Sequence, residues 1–134
     1  MSLLPLVVTF LCLNPTATGQ ASVAVKDYDL EDGARPLMRQ IHDDWMKKEY
    51  PALLRKHRLR MSCTSCESIY LDVQLTIDAD GHIADFKVVA ENRCGKAFSE
   101  RLRGDFLRPF RDLVFPEPLR SRIIETRLGT GLTC

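Results

Sequence analysis

Apolar and polar residues alternate without a break from Ile69 to Ile77: Ile69, Leu71, Val73, Leu75 and Ile77 take one side, Tyr70, Asp72, Gln74 and Thr76 the other. A period of two belongs to a half-buried strand, because successive side chains leave opposite faces of the pleat. Asp78-Ala79-Asp80-Gly81 is turn chemistry, and His82 to Ala90 then reads as a returning strand. With Ile77 opposite His82, the residues Leu75, Val73, Leu71 and Ile69 fall opposite Ala84, Phe86, Val88 and Ala90. The same register sets Asp72 against Lys87 on the other face, and a one-residue slip would lose both matches.

Elsewhere the spacing changes to four. Leu37, Ile41 and Trp45, with Met38 beside them, predict an amphipathic helix entered at Pro36. It should stop near Tyr50, because Pro51 disfavours helical geometry in the residue before it. Pro51 to Arg60 reads as one more short helix with a basic face. Phe98, Leu102 and Phe106 predict a second main helix, weakened at Gly104 by about 1 kcal/mol relative to Ala and ended or kinked at Pro109. Phe115-Pro116-Glu117-Pro118 must be extended, and Leu119 to Leu128 reads as a last strand.

The order is therefore helix, strand, strand, helix, strand. A strand that follows a helical crossover tends to land beside the first strand of the preceding hairpin. The expected fold is α+β: a three-stranded antiparallel sheet of order 2-1-3, with the helices packed on one face. Strand 69–77 is central, and strands 82–90 and 119–128 are open edges.

Met1 to Val25 carries no charged side chain, and Leu3 to Leu13 is an apolar run followed by Asn14-Pro15-Thr16-Ala17-Thr18-Gly19-Gln20-Ala21. That layout predicts a secretory signal over residues 1–21, with cleavage after Gly19, Ala21 or Ala24. The run is short of the roughly 20 residues that span a bilayer, so no stable membrane insertion is expected after cleavage. Residues 22–35, acidic and turn-rich, read as a flexible linker, and 36–134 as the folded domain. The expected location is the periplasm or the exterior.

The chain has 134 residues, 45% of them hydrophobic and 28% charged, which suits one soluble domain with a modest core. A net charge of +1 argues against whole-surface attraction to nucleic acid. The basic stretch Arg55-Lys56-His57-Arg58-Leu59-Arg60 has no interleaved aromatic residues and reads as a solvated helix face. His42, His57 and His82 belong to no recognisable nucleophile, metal or acid–base motif. Asp78 and Asp80 sit in a turn that no distal Glu completes into a calcium loop. Neither an enzyme activity nor a cofactor is expected.

Four cysteines remain after signal removal: Cys63, Cys66, Cys94 and Cys134. An even count in a small exported domain suggests two disulfides, with three connectivities open. Extending the hairpin register puts Cys94 beside Cys66, and an antiparallel last strand brings Cys134 towards Cys63. That favours Cys66–Cys94 with Cys63–Cys134. The alternative is a zinc-binding or thiol-redox protein using the same four residues. Cys63-Thr64-Ser65-Cys66 is a CxxC, but reactive versions precede a helix, and here a strand follows. Four converging thiolates would make a tetrahedral zinc site, although the second CxxC half is missing.

Three motifs in order support a comparison: Tyr50-Pro51-Ala52 before a basic stretch, Thr76-Ile77-Asp78-Ala79-Asp80-Gly81-His82-Ile83, and Phe115-Pro116-Glu117-Pro118 before the last strand. Together they resemble the C-terminal domains of TonB and TolA, over roughly residues 36 to 132. TolA-like domains also carry a disulfide that Cys66 and Cys94 resemble. The transducers have a membrane anchor and a long periplasmic linker that this sequence does not show, and Asn92-Arg93-Cys94-Gly95 replaces the small segment before the TonB helix. The resemblance thus implies a stand-alone periplasmic domain that binds a protein or peptide partner of the cell envelope by lending an edge strand. The candidate edge comprises Arg120, Arg122, Ile123, Ile124, Glu125, Thr126 and Arg127, whose arginines would favour an acidic or carboxylate-bearing partner. Edge charges of this kind also protect against aggregation.

Overall fold

The computed structural model describes residues 23–134, and the expected signal segment, Cys12 included, lies outside the described residues. Strand β1 (Ala24–Lys26) leads through a 3-10 turn into a long helical run made of α1 (Arg35–Asp44), a π-helical turn (Trp45–Glu49) and α2 (Tyr50–Lys56). Strands β2 (Ser68–Ile77) and β3 (Ile83–Arg93) follow, then α3 (Glu100–Arg111) and β4 (Arg122–Gly131).

The α+β class stands, but the sheet is four-stranded and mixed, in the order β1-β4-β2-β3, rather than three-stranded and antiparallel. The fourth strand comes from the segment expected to be a linker. Ala24, Val25 and Lys26 pair in parallel with Ile123, Ile124 and Glu125. Leu30 and Ala34, farther along the same segment, are buried in the core. Strand β2 does lie in the middle, antiparallel to both β3 and β4.

The alternation along β2 is realised residue by residue. Ile69, Leu71, Val73, Leu75 and Ile77 are all buried, while the intervening side chains are half-exposed. Trp45, Tyr50, Phe98, Phe106 and Phe110 cover that apolar face as one aromatic cluster. The Trp45 indole N–H, which needs a partner once buried, donates to the Phe106 carbonyl at 3.1 Å.

The β2–β3 register differs from the expected one because β3 carries two extra residues. Ala84 and Val89 have no partner on β2, so Leu75 faces Phe86, Val73 faces Val88 and Leu71 faces Glu91. Each bulge changes which residues look inward. Gln74, not Asp72, therefore lies opposite Lys87, and Asp72 binds Arg127 on β4 instead. Glu91 is turned towards the helix-covered face, where it accepts from the Phe98 N–H at 2.9 Å and from the Arg103 guanidinium.

Neither proline ends its helix. Ahead of Pro51 the chain widens into the π turn, with the Tyr50 N–H reaching the Trp45 carbonyl five residues back. The wider turn gives room for the proline ring, which in an α-helix would press on the carbonyl four residues before it. Pro109 lies in the last turn of α3, two residues from its end, so only one internal bond is lost. At the other end the Ser99 hydroxyl caps the helix by accepting from the Leu102 N–H at 3.1 Å. The last strand begins three residues later than expected and runs through Gly129 to Gly131.

The turn between β2 and β3 is tied down at several points. The Asp78 carboxylate accepts from the Asp80 and His82 N–H groups, both at 2.9 Å. Those amides, His82's first, hold the carboxyl below its usual value. Gly81, at a φ of +90°, leaves space for the Phe115 carbonyl, 2.5 Å from where a Cβ would stand. The motif Phe115-Pro116 is thus the buttress of the hairpin.

Candidate partner-binding edges

A sheet offers a partner its unpaired backbone groups, so the two outer strands come first. On β4 the edge expected to be open is closed along most of its length. β1 covers Ile123 to Glu125, and Lys26 reinforces the contact through an ion pair with Glu125 at 2.6 Å. Beyond β1, the Thr126 hydroxyl donates to Asp27 at 2.7 Å. The His42 imidazole N–H donates to the Arg127 carbonyl at 2.6 Å, and the Gly129 N–H reaches the Met46 sulfur at 3.4 Å. Side chains of the helical run therefore continue what β1 begins.

The seven residues expected to receive a partner are accordingly occupied within the chain. Ile124 and Thr126 are buried. Arg120 donates to the Phe115 carbonyl at 2.9 Å, and Arg122 forms a forked ion pair with Glu31. Ile123 and Glu125 lie under β1. Arg127 grips Asp72 through two bonds of 2.7 and 2.9 Å and stacks 3.9 Å over the Tyr70 ring. No free cationic row faces outward along this edge. The signal for β1 was small: Val23-Ala24-Val25 is apolar, but it merges into the uncharged lead that resembles a cleavage region.

The long outer strand is β3, which pairs with β2 through nine of its eleven residues and is bridged by Lys96 only at Arg93; the other outer strand, β1, has three residues. Its two bulges thrust Ala84 and Val89 out of the ladder, and Val89 is 49% exposed. Asp85, Lys87 and Ala90 are exposed around it, and the Arg111 guanidinium lies 4.8 Å over the Phe86 ring at one end. An apolar knob preceded by two charges of opposite sign thus marks the free margin of the sheet.

Next to β1 a cleft of about 410 Å³ opens where the chain leaves the sheet at Asp27, between Tyr28, His42 and Arg127. Its three acids are already served: Asp27 by Thr126, Asp72 by Arg127 and Glu125 by Lys26 and Gln74. The hydrogen bond from Lys26 is the main reason that the Glu125 carboxyl sits below its usual value. Such internally balanced groups are a joint between β1, α1 and β4 rather than a prepared ligand site.

His57 and Asp105 form the one buried acid–base contact that could suggest catalysis among the described residues. The Asp105 carboxylate meets Lys56 at 2.9 Å, His57 at 2.8 Å and Arg108 at 2.6 Å. The Lys56 ammonium first, then His57 and Arg108, hold the carboxyl far below the usual range against the opposing effect of burial. Lys56 closes α2, His57 follows it and Arg108 belongs to α3, so the cluster is a strut between the helices. His42, as noted, serves the β4 edge.

The cysteines form two disulfides, Cys63–Cys134 and Cys66–Cys94. The CxxC pair is not bonded to itself, and sulfurs engaged in these bonds present no thiolate to a zinc ion. Two disulfides place the chain in an oxidising, non-cytoplasmic compartment. Among the described residues, no helix is long and apolar enough to cross a membrane. No family model, no curated protein and no solved structure matches this chain.

Proposed function

We propose that this protein is an exported binding module, periplasmic or secreted, that takes an extended segment of a protein partner onto the free edge of β3. One observation carries the reading: β3 is the long strand whose outer backbone has no strand or helix laid along it. Strand addition draws affinity from backbone hydrogen bonds and specificity from alternate side chains. Val89 supplies an apolar contact at the middle of that margin, and Asp85 and Lys87, ahead of it on the strand, add both signs of charge. The order of motifs shared with TonB and TolA domains supports the same class of function, with the working edge moved from β4 to β3. The bulges also guard the edge against indiscriminate pairing, so a partner has to fit their spacing.

A photo-crosslinking amino acid placed in the exported protein tests this directly. At Lys87 or Val89 it should give discrete adducts with another envelope or extracellular protein, and at Ile123 or Glu125 none. Adducts confined to the β4 positions would overturn the assignment of the edge. No protein adduct from any position on either strand would overturn the binding function itself.

A further inference from the structure

The two disulfides lie side by side at one end of the sheet, and they differ in exposure: one joins two exposed cysteines, the other a buried and a half-buried one. Cys66 is buried in the core, and Cys94 packs against that core with its N–H donating to the Ser68 carbonyl at 3.0 Å. Cys63 and Cys134 are both exposed. Cys134 lies beyond the end of β4, and Gly131, Leu132 and Thr133 before it are exposed as well. The last backbone bond before it is from the Leu132 N–H to the Glu67 carbonyl at 2.7 Å. The approach to Cys63 is open too, along a shallow cleft lined by Thr64, Ser65 and Glu67, which half-buried Cys94 also reaches from its far side.

We infer that Cys63–Cys134 is the preferred site of thiol–disulfide exchange for a dithiol oxidoreductase of the CxxC type, whereas Cys66–Cys94, with one sulfur in the core, exchanges far more slowly in the folded protein. Exchange requires a thiolate to approach a disulfide sulfur, so access decides which bond reacts, and exposed bonds are the labile ones. The attacking thiolate bonds to the Cys134 sulfur and the Cys63–Cys134 bond breaks, leaving Cys63 as a thiolate. The oxidoreductase's second thiolate then attacks its own sulfur in the mixed disulfide and releases Cys134. Two electrons pass from the dithiol to this pair, its two protons end on Cys63 and Cys134, and the oxidoreductase departs as a disulfide. The segment after β4 is thereby freed from the Cys63 loop, while the inner bond still ties that loop to β3. This inference is independent of the edge at which a partner docks.

The oxidised full chain would be treated with reduced thioredoxin or with dithiothreitol, quenched at intervals with iodoacetamide and mapped by mass. Cys63 and Cys134 should be alkylated at least ten times faster than Cys66 and Cys94 with both reductants. A thioredoxin whose resolving cysteine is serine should be trapped on Cys134, and Cys63→Ser with Cys134→Ser should abolish the trapping. Equal labelling of all four cysteines, or faster labelling of the inner pair, would overturn the proposal. Selective opening by dithiothreitol without any trapped thioredoxin would overturn the oxidoreductase as the agent. Both readouts on the unmutated chain stand even if the double variant fails to fold.

Discussion

Asp105 shows how much a single residue carries in a domain of this size. Its carboxylate is buried, and three basic side chains from α2, the residue after it and α3 converge on it. Asp105→Asn would leave those cations without their shared anion, at an expected cost of about 1–3 kcal/mol in urea unfolding at pH 7. The pH dependence follows from the direction of the shift. A carboxyl with a depressed folded value adds stability that is fully present above the ordinary carboxylate range, near pH 4, and is lost as pH falls through the depressed value. The wild type should therefore lose stability steeply on acidification, and Asp105→Asn should be the less steep of the two below about pH 4. Gly129 is a second such residue. At a φ of +109°, a Cβ there would stand 2.2 Å from the Ile69 carbonyl oxygen. Gly129→Ala should cost at least about 2 kcal/mol, by backbone strain and collision together, measured by the same unfolding. In the sequence Gly129-Thr130-Gly131 resembled a tail after a strand. Its actual task is to let β4 continue past Tyr50, whose hydroxyl donates to the Ile69 carbonyl and accepts from the Thr130 N–H.

At the scale of elements, legibility followed periodicity. β2 could be read almost to its ends because five buried side chains alternate with half-exposed ones. The core positions of α1 and α3 were legible for the same reason at a spacing of four. The register of β3 was not, since Ala84 and Val89 are small or apolar residues that fit either face, and nothing local marks them as bulged. The prolines misled because a widened turn and a terminal position each remove most of their cost. β1 was missed because three residues are too few to show a period, and their pairing is with a strand 99 positions away. Its role can be tested as an element. Val25→Pro removes a backbone donor and disturbs the pairing without touching the rest of the sheet. The expected result is a loss of about 1–2 kcal/mol, with concentration-dependent association in sedimentation as the β4 edge is uncovered. A variant that associates no more than the wild type and is fully stable would show that the side chains of Asp27, His42 and Met46 close that edge unaided.

Over the whole molecule, the fold is a thin sheet with helices on one face only, and its other face is left to polar side chains such as Asp72, Gln74, Glu125 and Arg127. A core of this size leaves a small margin, so cross-links weigh heavily. The outer disulfide closes a separation of 71 residues and the inner one a separation of 28. In the chain-entropy picture those lengths correspond to about 4.4 and about 3.6 kcal/mol respectively. The longer loop belongs to the exposed bond, so the staple most open to exchange is also the one that most restricts the unfolded chain. Cys63→Ser with Cys134→Ser should therefore lower the unfolding free energy by about 4 kcal/mol while leaving the amide spectrum unchanged outside the Cys63 loop and the chain end. Cys66→Ser with Cys94→Ser loses less loop entropy but also disturbs packing around a buried sulfur, so its spectral changes should extend into β2, β3 and the start of α3. Guanidinium unfolding with matched amide spectra distinguishes the two. If the outer pair could be removed at no cost, the unfolded chain would already hold its ends together, and the restraint ascribed to that bond would be absent.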